Sequence, residues 1–370
     1  MKKKVLIVTK DPKSKGGVVN YYNVFFEKNS YDKLDIEWFV IGSRSRDYYK
    51  RRSRKLAYFV EYSRDVLRFV NRLAKKDVEV VQLNPSLFHL PLVRDLPLLL
   101  IAKYQYNLKV IMFIRGWSRE FAESAAEKLV WSRILRLWNR SDATIVLANK
   151  FRELLGEFGF RDDSIHVTRT MGLIANQQFK TPLETDDEPK FVFLSRISEV
   201  KGIKLILESA EILRGSNQKF SVNIYGHFDS ENTKLEFENR VQKSALQHHV
   251  IYHGFVKGSK KDEALRSNDV LLLPTLHDEG CPNTVIEGLL SGNYILSSNV
   301  GALDEIVQQD VTGNIMEEVT TECLSVKMKW VIDNITEIRN ERSRRASISE
   351  KKYSVEKMMG NIYDVYDSLL

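Results

Sequence analysis

Short apolar runs alternate with longer segments of helical period along the whole chain. In the first half, Val5–Val8, Ile36–Ile41, Val78–Leu83, Val110–Ile114 and Ala143–Leu147 are rich in valine and isoleucine and apolar on both faces. That is the pattern of strands buried inside a parallel sheet. Between them, Val18–Phe26 and Ala122–Trp138 read as helices. Strand–helix alternation predicts an α/β domain with a parallel sheet. Thr181–Lys190 is polar, carries Pro182 and Pro189, and reads as a linker. The pattern then restarts with Phe191–Leu194, Val222–Tyr225, Val250–Tyr252, Val270–Leu273 and Tyr294–Ser297. The expectation is two tandem doubly wound, Rossmann-like α/β domains, 1–180 and 181–353. The end of the chain, 354–370, reads as an amphipathic helix. Ligands bind outside the carboxyl ends of strands in such sheets, so two facing sheets would leave an interdomain cleft.

Composition supports this division. The chain has 370 residues, and single cores stop growing near ~250–300. Cys281 and Cys323 are the two cysteines, too few for a disulfide framework or a zinc cluster. The apolar run behind the N-terminal lysines is only Val5–Val8, short of the ~7–15 residues of a signal peptide core. No run approaches the ~18 apolar residues of a membrane helix. The expectation is a cytoplasmic protein, peripheral at most on the cytoplasmic face of a membrane.

The net charge of +7 is less informative than its distribution. Arg44, Arg46, Lys50, Arg51, Arg52, Arg54 and Lys55 crowd together, followed by Arg64, Arg68, Arg72, Lys75 and Lys76. Lys50–Val70 reads as a helix with Leu56, Phe59, Val60, Val66, Phe69 and Val70 on one side. A basic stripe over Arg44–Lys76 points to an anionic partner such as a membrane surface. A sheet-covering helix with a solvated basic face fits equally.

Three strand-to-helix loops carry unusual residues. The first ends in Gly16-Gly17, where paired glycines at a helix start admit a phosphate to backbone amides; a tight turn is the plainer alternative. The second, Leu194–Gly202, holds Arg196 and Lys201, a fork of donors and a compact cation that together suit a diphosphate. Each alone is also compatible with a solvated surface charge. The third, His277–Gly292, sets Glu279 in the loop and Glu287 in the early turns of a helix opened by Pro282 or Asn283. Carboxylates there can accept hydrogen bonds from vicinal sugar hydroxyls, or simply favour the helix N-terminus.

Phe193–Arg196, Lys201-Gly202, the segment EGCPNTVIEGLLSG from Glu279, and Gly301 with Glu305 follow one another in the second half. With these spaced motifs the chain resembles the retaining glycosyltransferases of GT-B fold in the group 1 class, glycosyltransferase family 4. The resemblance implies that Arg196 and Lys201 hold the donor diphosphate and that Glu287 takes the ribose hydroxyls. Glu279 with the backbone of Gly280, Cys281, Pro282 and Asn283 would hold the transferred sugar. Thr284 would touch the distal phosphate, and Gly16 and Gly17 would close on the donor from the first domain. It also implies an N-terminal acceptor-binding domain, a C-terminal donor-binding domain, and a C-terminal helix that packs back on the first. No metal and no cofactor is expected. A UDP- or GDP-linked sugar is the co-substrate, and a saccharide or lipid-linked saccharide is the acceptor.

Two positions depart from the family pattern. Arg115 stands where many relatives have histidine, and His227 follows Gly226 where many have glycine. Arg115 is a candidate for acceptor or phosphate contact or a structural replacement. His227 is a candidate for contact with base or diphosphate or a surface histidine. The expected function is transfer of a hexose-type sugar with retention, in cell-surface polysaccharide synthesis, with Arg196, Lys201 and Glu279 catalytic. A sugar-nucleotide 2-epimerase shares the architecture but would use carboxylates and histidines as acid and base. A basic nucleic-acid-binding protein lacks support, because no recognised module or aromatic platform accompanies the arginines.

Overall fold

The structure is a computed structural model. It describes residues 2–14, 17–29, 31–42, 54–116, 121, 124–125, 128–172 and 188–370, with backbone alone at 54–59. Gly16, Trp117, the Arg44–Arg52 part of the basic stripe and residues 181–187 of the expected linker lie outside them. The chain divides into two compact units, Met1–Arg169 with Met358–Leu370, and Thr170–Lys357. The division precedes the expected 180/181 boundary. Thr170 already belongs to the second unit, where its amide meets Cys281 Sγ at 3.3 Å and its hydroxyl donates to Asn283 Oδ1 at 2.7 Å.

The first unit is built on β1 (Lys3–Thr9), β2 (Leu34–Val40), β3 (Val80–Leu83), β4 (Lys109–Phe113), β5 (Ala143–Val146) and β6 (Ile165–Val167). All pair in parallel, in the order β2-β1-β3-β4-β5-β6. The central strands are buried over most of their length, which is why they carry unbroken apolar runs. Its helices are α1 (Gly17–Lys28), α2 (Arg54–Leu73), α3 (His89–Leu100), α4 (Leu129–Trp138) and α5 (Asn149–Glu157). The helix at the end of the chain, Val355–Leu369, joins this unit from Met358 onward. It buries Met358, Met359, Ile362, Val365 and Tyr366. Tyr366 donates to Gln82 Oε1 at 2.6 Å in a buried network that continues through Tyr22 to Asn84.

The second unit is built on β7 (Lys190–Leu194), β8 (Ser221–Tyr225), β9 (Val250–Gly254), β10 (Val270–Leu273), β11 (Tyr294–Ser298) and β12 (Gly313–Met316). These are again all parallel, in the order β12-β11-β10-β7-β8-β9. In chain order this is the 3-2-1-4-5-6 arrangement of dinucleotide-binding sheets. Its helices are α6 (Ile203–Gly215), α7 (Glu231–Lys243), α8 (Ser259–Arg266), α9 (Asn283–Leu290), α10 (Leu303–Ile306), α11 (Thr321–Asp333), α12 (Ile335–Asn340) and α13 (Arg342–Tyr353); the terminal helix is α14. Phe191, Phe193, Ile206, Val222, Leu272 and Leu296 centre the core.

The apolar runs located ten strands. The two they missed, β6 and β12, are the last strand of each sheet and lie at an edge. Both are only partly buried, so neither needs a continuous apolar run.

Candidate functional site

In a doubly wound sheet the winding direction reverses at one point, and the loops on either side of it diverge to leave a crevice. In the second unit that point is between β7 and β10. The loop after β7 carries Arg196 and Lys201, and the loop after β10 carries Glu279. Residues far apart in sequence are thus brought together by topology.

The two loops are sewn to each other. Leu276 donates its amide to the Val200 carbonyl at 2.8 Å, and Thr275 Oγ1 donates to the same carbonyl at 3.2 Å. Gly202 takes a left-handed φ of 85° against Pro274, whose carbonyl oxygen lies 2.1 Å from where a β-carbon would stand. This close approach directs Lys201 onto Glu279, with which it forms an ion pair. Both side chains are 13% exposed. Gly301, at φ 64°, packs on the Glu279 backbone, and the Ala302 amide donates to the Glu279 carbonyl at 2.9 Å. Arg196 is exposed and forms no ion pair or hydrogen bond among the described residues.

Pro282 is the N-cap of α9, with Asn283 and Thr284 in its first turn. The first amides of a helix have no intrahelical acceptor and favour an anion. Glu287 lies one turn further and is 2% exposed. Lys261 of α8 donates to Glu287 Oε1 at 2.6 Å. Cys281 is buried and used internally, as Asn283 is, by the contacts to Thr170. Gly280 lies between Glu279 and Cys281, half-buried.

His227, after β8, is exposed and stacks on Phe255, after β9, with ring centroids 4.3 Å apart. Its carbonyl accepts the Ile197 amide at 2.9 Å, which joins this aromatic pair to the Arg196 loop. The sequence reading had named His227 but neither Phe255 nor Lys261. A lysine in the first turn of a helix opposes the helix dipole, and that was the available signal for Lys261.

In the first unit Gly17 begins α1 and is exposed. Arg115, after β4, sets its guanidinium 3.6 Å from the Tyr21 ring centroid and 4.9 Å from that of Phe113. Burial pushes the Tyr21 phenol above its usual value, and Arg115 opposes that shift. The guanidinium is therefore engaged with α1 aromatics, as a structural residue would be.

Within the described part of the basic stripe, two arginines have acidic partners. Arg72 is bound by Glu37 and Asp77, and Arg68 by Asp65 at 2.9 Å with its guanidinium over Phe39. Glu37 on β2, Asp65 on α2 and Asp77 between α2 and β3 pair with them, and Arg72 is largely buried while Arg68 stays exposed. Val60 is 42% exposed and does not join the buried side of α2. Arg64, Lys75 and Lys76 remain exposed.

Two six-stranded parallel sheets with their flanking helices make this the GT-B architecture. The chain matches the Anabaena protein Alr3699/HepE, solved in complex with UDP, with a TM-score of 0.75 at 14% identity, over 99% of this chain and 100% of that one. More particularly, residues 175–352 match the family model of glycosyl transferases group 1, which is most of the second unit. An uncharacterized glycosyltransferase, MJ1607 of Methanocaldococcus jannaschii, is 27% identical over 129 residues, 35% of this chain and 32% of its own. The amylovoran biosynthesis glycosyltransferase AmsK of Erwinia amylovora is 24% identical over 197 residues, 51% of this chain and 47% of its own. The match thus spans between about a third and a half of these relatives. Among the described residues, no helix is long and apolar enough to cross a membrane.

Proposed function

We propose that the chain is a group 1 glycosyltransferase of family 4 type, which transfers a hexose-type sugar from a UDP- or GDP-linked donor with retention. The observation that carries this is the grouping at the β7/β10 reversal: exposed Arg196, the Lys201–Glu279 pair, and Glu287 on α9. Arg196 and Lys201 take the diphosphate, together with the Asn283 and Thr284 amides. Glu287 takes the ribose hydroxyls, and Glu279 with the Gly280–Asn283 backbone takes the sugar. Gly16, Gly17 and Arg115 belong to the acceptor-binding unit. His227 and Phe255 offer the base a flat surface. The match to AmsK, a glycosyltransferase of amylovoran biosynthesis, supports a place in polysaccharide synthesis, and the acceptor proposed is a glycan or lipid-linked saccharide.

The anomeric carbon–oxygen bond breaks with its electron pair passing to the diphosphate. The acceptor oxygen bonds to the anomeric carbon, and its proton goes to the departing phosphate. Cations fixed where that negative charge develops stabilise the transition state more than the ground state. UDP, GDP and their sugars are the probes for a thermal-shift or calorimetric screen. A ligand at 100 times its dissociation constant should add about 2.7 kcal/mol of stability. Glu287→Ala should weaken its binding. No stabilisation by any of them sinks the proposal.

Exposed Arg64, Lys75 and Lys76 support a further reading, contact of the first unit with an anionic membrane on the cytoplasmic face. Sedimentation with phosphatidylglycerol vesicles at low salt should carry the protein down. Its remaining in the supernatant removes this contact.

A further inference from the structure

A carboxylate withdrawn from water is costly unless a partner compensates it. Glu287 is 2% exposed, deeper than Glu279 on the neighbouring loop. Lys261 reaches it from α8, the crossover helix between β9 and β10, and donates at 2.6 Å. Gly258 caps the helix, and Lys261 sits in its first turn, where the dipole disfavours a cation. The Lys261 side chain is itself only 19% exposed, so the pair is largely removed from solvent. The two lysine–glutamate pairs of the site differ in the carboxylate: Glu287 is 3% exposed and Glu279 13%. Lys201 joins Glu279 between the loops after β7 and β10, whereas Lys261 joins Glu287 from α8.

We propose that Lys261 is a positioning residue for the donor: it holds Glu287 aimed so that the carboxylate can accept both ribose hydroxyls. A swung-away Glu287 would offer the ribose fewer acceptor positions. Lys261 itself need not touch the nucleotide. The inference rests on the donor role proposed for Glu287, and its test separates the two.

Calorimetry would measure UDP against 2′-deoxy-UDP, and GDP against 2′-deoxy-GDP, on the wild type, Lys261→Met, Lys261→Gln and Lys261→Arg, with melting temperatures recorded. The wild type should prefer the ribonucleotide of one pair by about tenfold, the value of roughly 1.4 kcal/mol in hydrogen bonding. Lys261→Met and Lys261→Gln should lose that preference, the ribonucleotide weakening to near the deoxy form while the deoxy form changes little. Lys261→Arg should recover most of it. If the uncharged variants weaken both nucleotides equally and keep the preference, the lysine is structural only and the inference is overturned. Unchanged ribonucleotide affinity overturns it as well. A wild type that binds neither diphosphate overturns the donor-site reading and this inference with it. A wild type that binds without distinguishing the deoxy form overturns the ribose role of Glu287 alone among the donor contacts, and with it the role of Lys261.

Discussion

Gly202 and Gly301 each hold a site residue in place by lacking a β-carbon. At Gly202 the neighbour is the Pro274 carbonyl, and at Gly301 it is the Glu279 carbonyl, each 2.1 Å from the position a β-carbon would take. Both glycines also have left-handed backbone, φ 85° and 64°. An alanine would have to displace the backbone that carries Lys201 or Glu279. We expect Gly202→Ala and Gly301→Ala each to cost about 1–3 kcal/mol in urea unfolding and to weaken nucleotide binding. Gly156→Ala, in α5 with open space around it, should be neutral or slightly stabilising. Equal losses at all three positions would refute this explanation. The motif Lys201-Gly202 was readable as residues. What the glycine avoids was not, because Pro274 is distant in sequence.

At the scale of elements, α6 and α7 are joined by one arginine. Arg240 of α7 donates to Glu211 Oε1 at 2.6 Å and to Glu208 Oε1 at 3.2 Å, and Ser244 donates to Glu211 at 2.6 Å. The guanidinium holds the Glu211 carboxyl below its usual value, against the opposing effect of burial. A carboxylate lowered in the folded state adds stability that is complete above its unfolded value, near pH 4.3. That contribution is lost as pH falls through the lower folded value. The Arg240 and Glu211 side chains are 35% and 28% exposed, so solvent screens the pair. Arg240→Ala should therefore cost about 1 kcal/mol or less at pH 7. Its deficit against the wild type should shrink below about pH 4, as urea unfolding at several pH values would show. A deficit that is constant down to pH 3 would assign the effect to packing. The alternation of strands and helices was visible in the sequence, whereas this tie spans the gap between two helices.

At the scale of the molecule, each unit winds its strands in its own order, 2-1-3-4-5-6 in the first and 3-2-1-4-5-6 in the second by chain order. Local sequence does not specify these orders. Buried runs such as Val270–Leu273 identify a strand because burial on both faces demands apolar residues at every position. They do not say which strand lies beside it. Ile165–Val167 and Gly313–Met316 escaped notice because each is short and holds a polar residue, His166 or Asn314. Hidden as well was that Arg68 and Arg72 pair with acids within the first unit.

By itself the sequence determined the α/β class, ten of the strands, the return to a second domain, and the charged loops after β7 and β10. These are local properties, set by burial of neighbouring residues and by turn chemistry. Only the tertiary structure decided that β7 lies next to β10, that Lys201 meets Glu279 across 78 positions, and that Lys261 meets Glu287 across 26. Charges pair through space, and the distance between them is set by how the sheet is wound rather than by the chain that separates them.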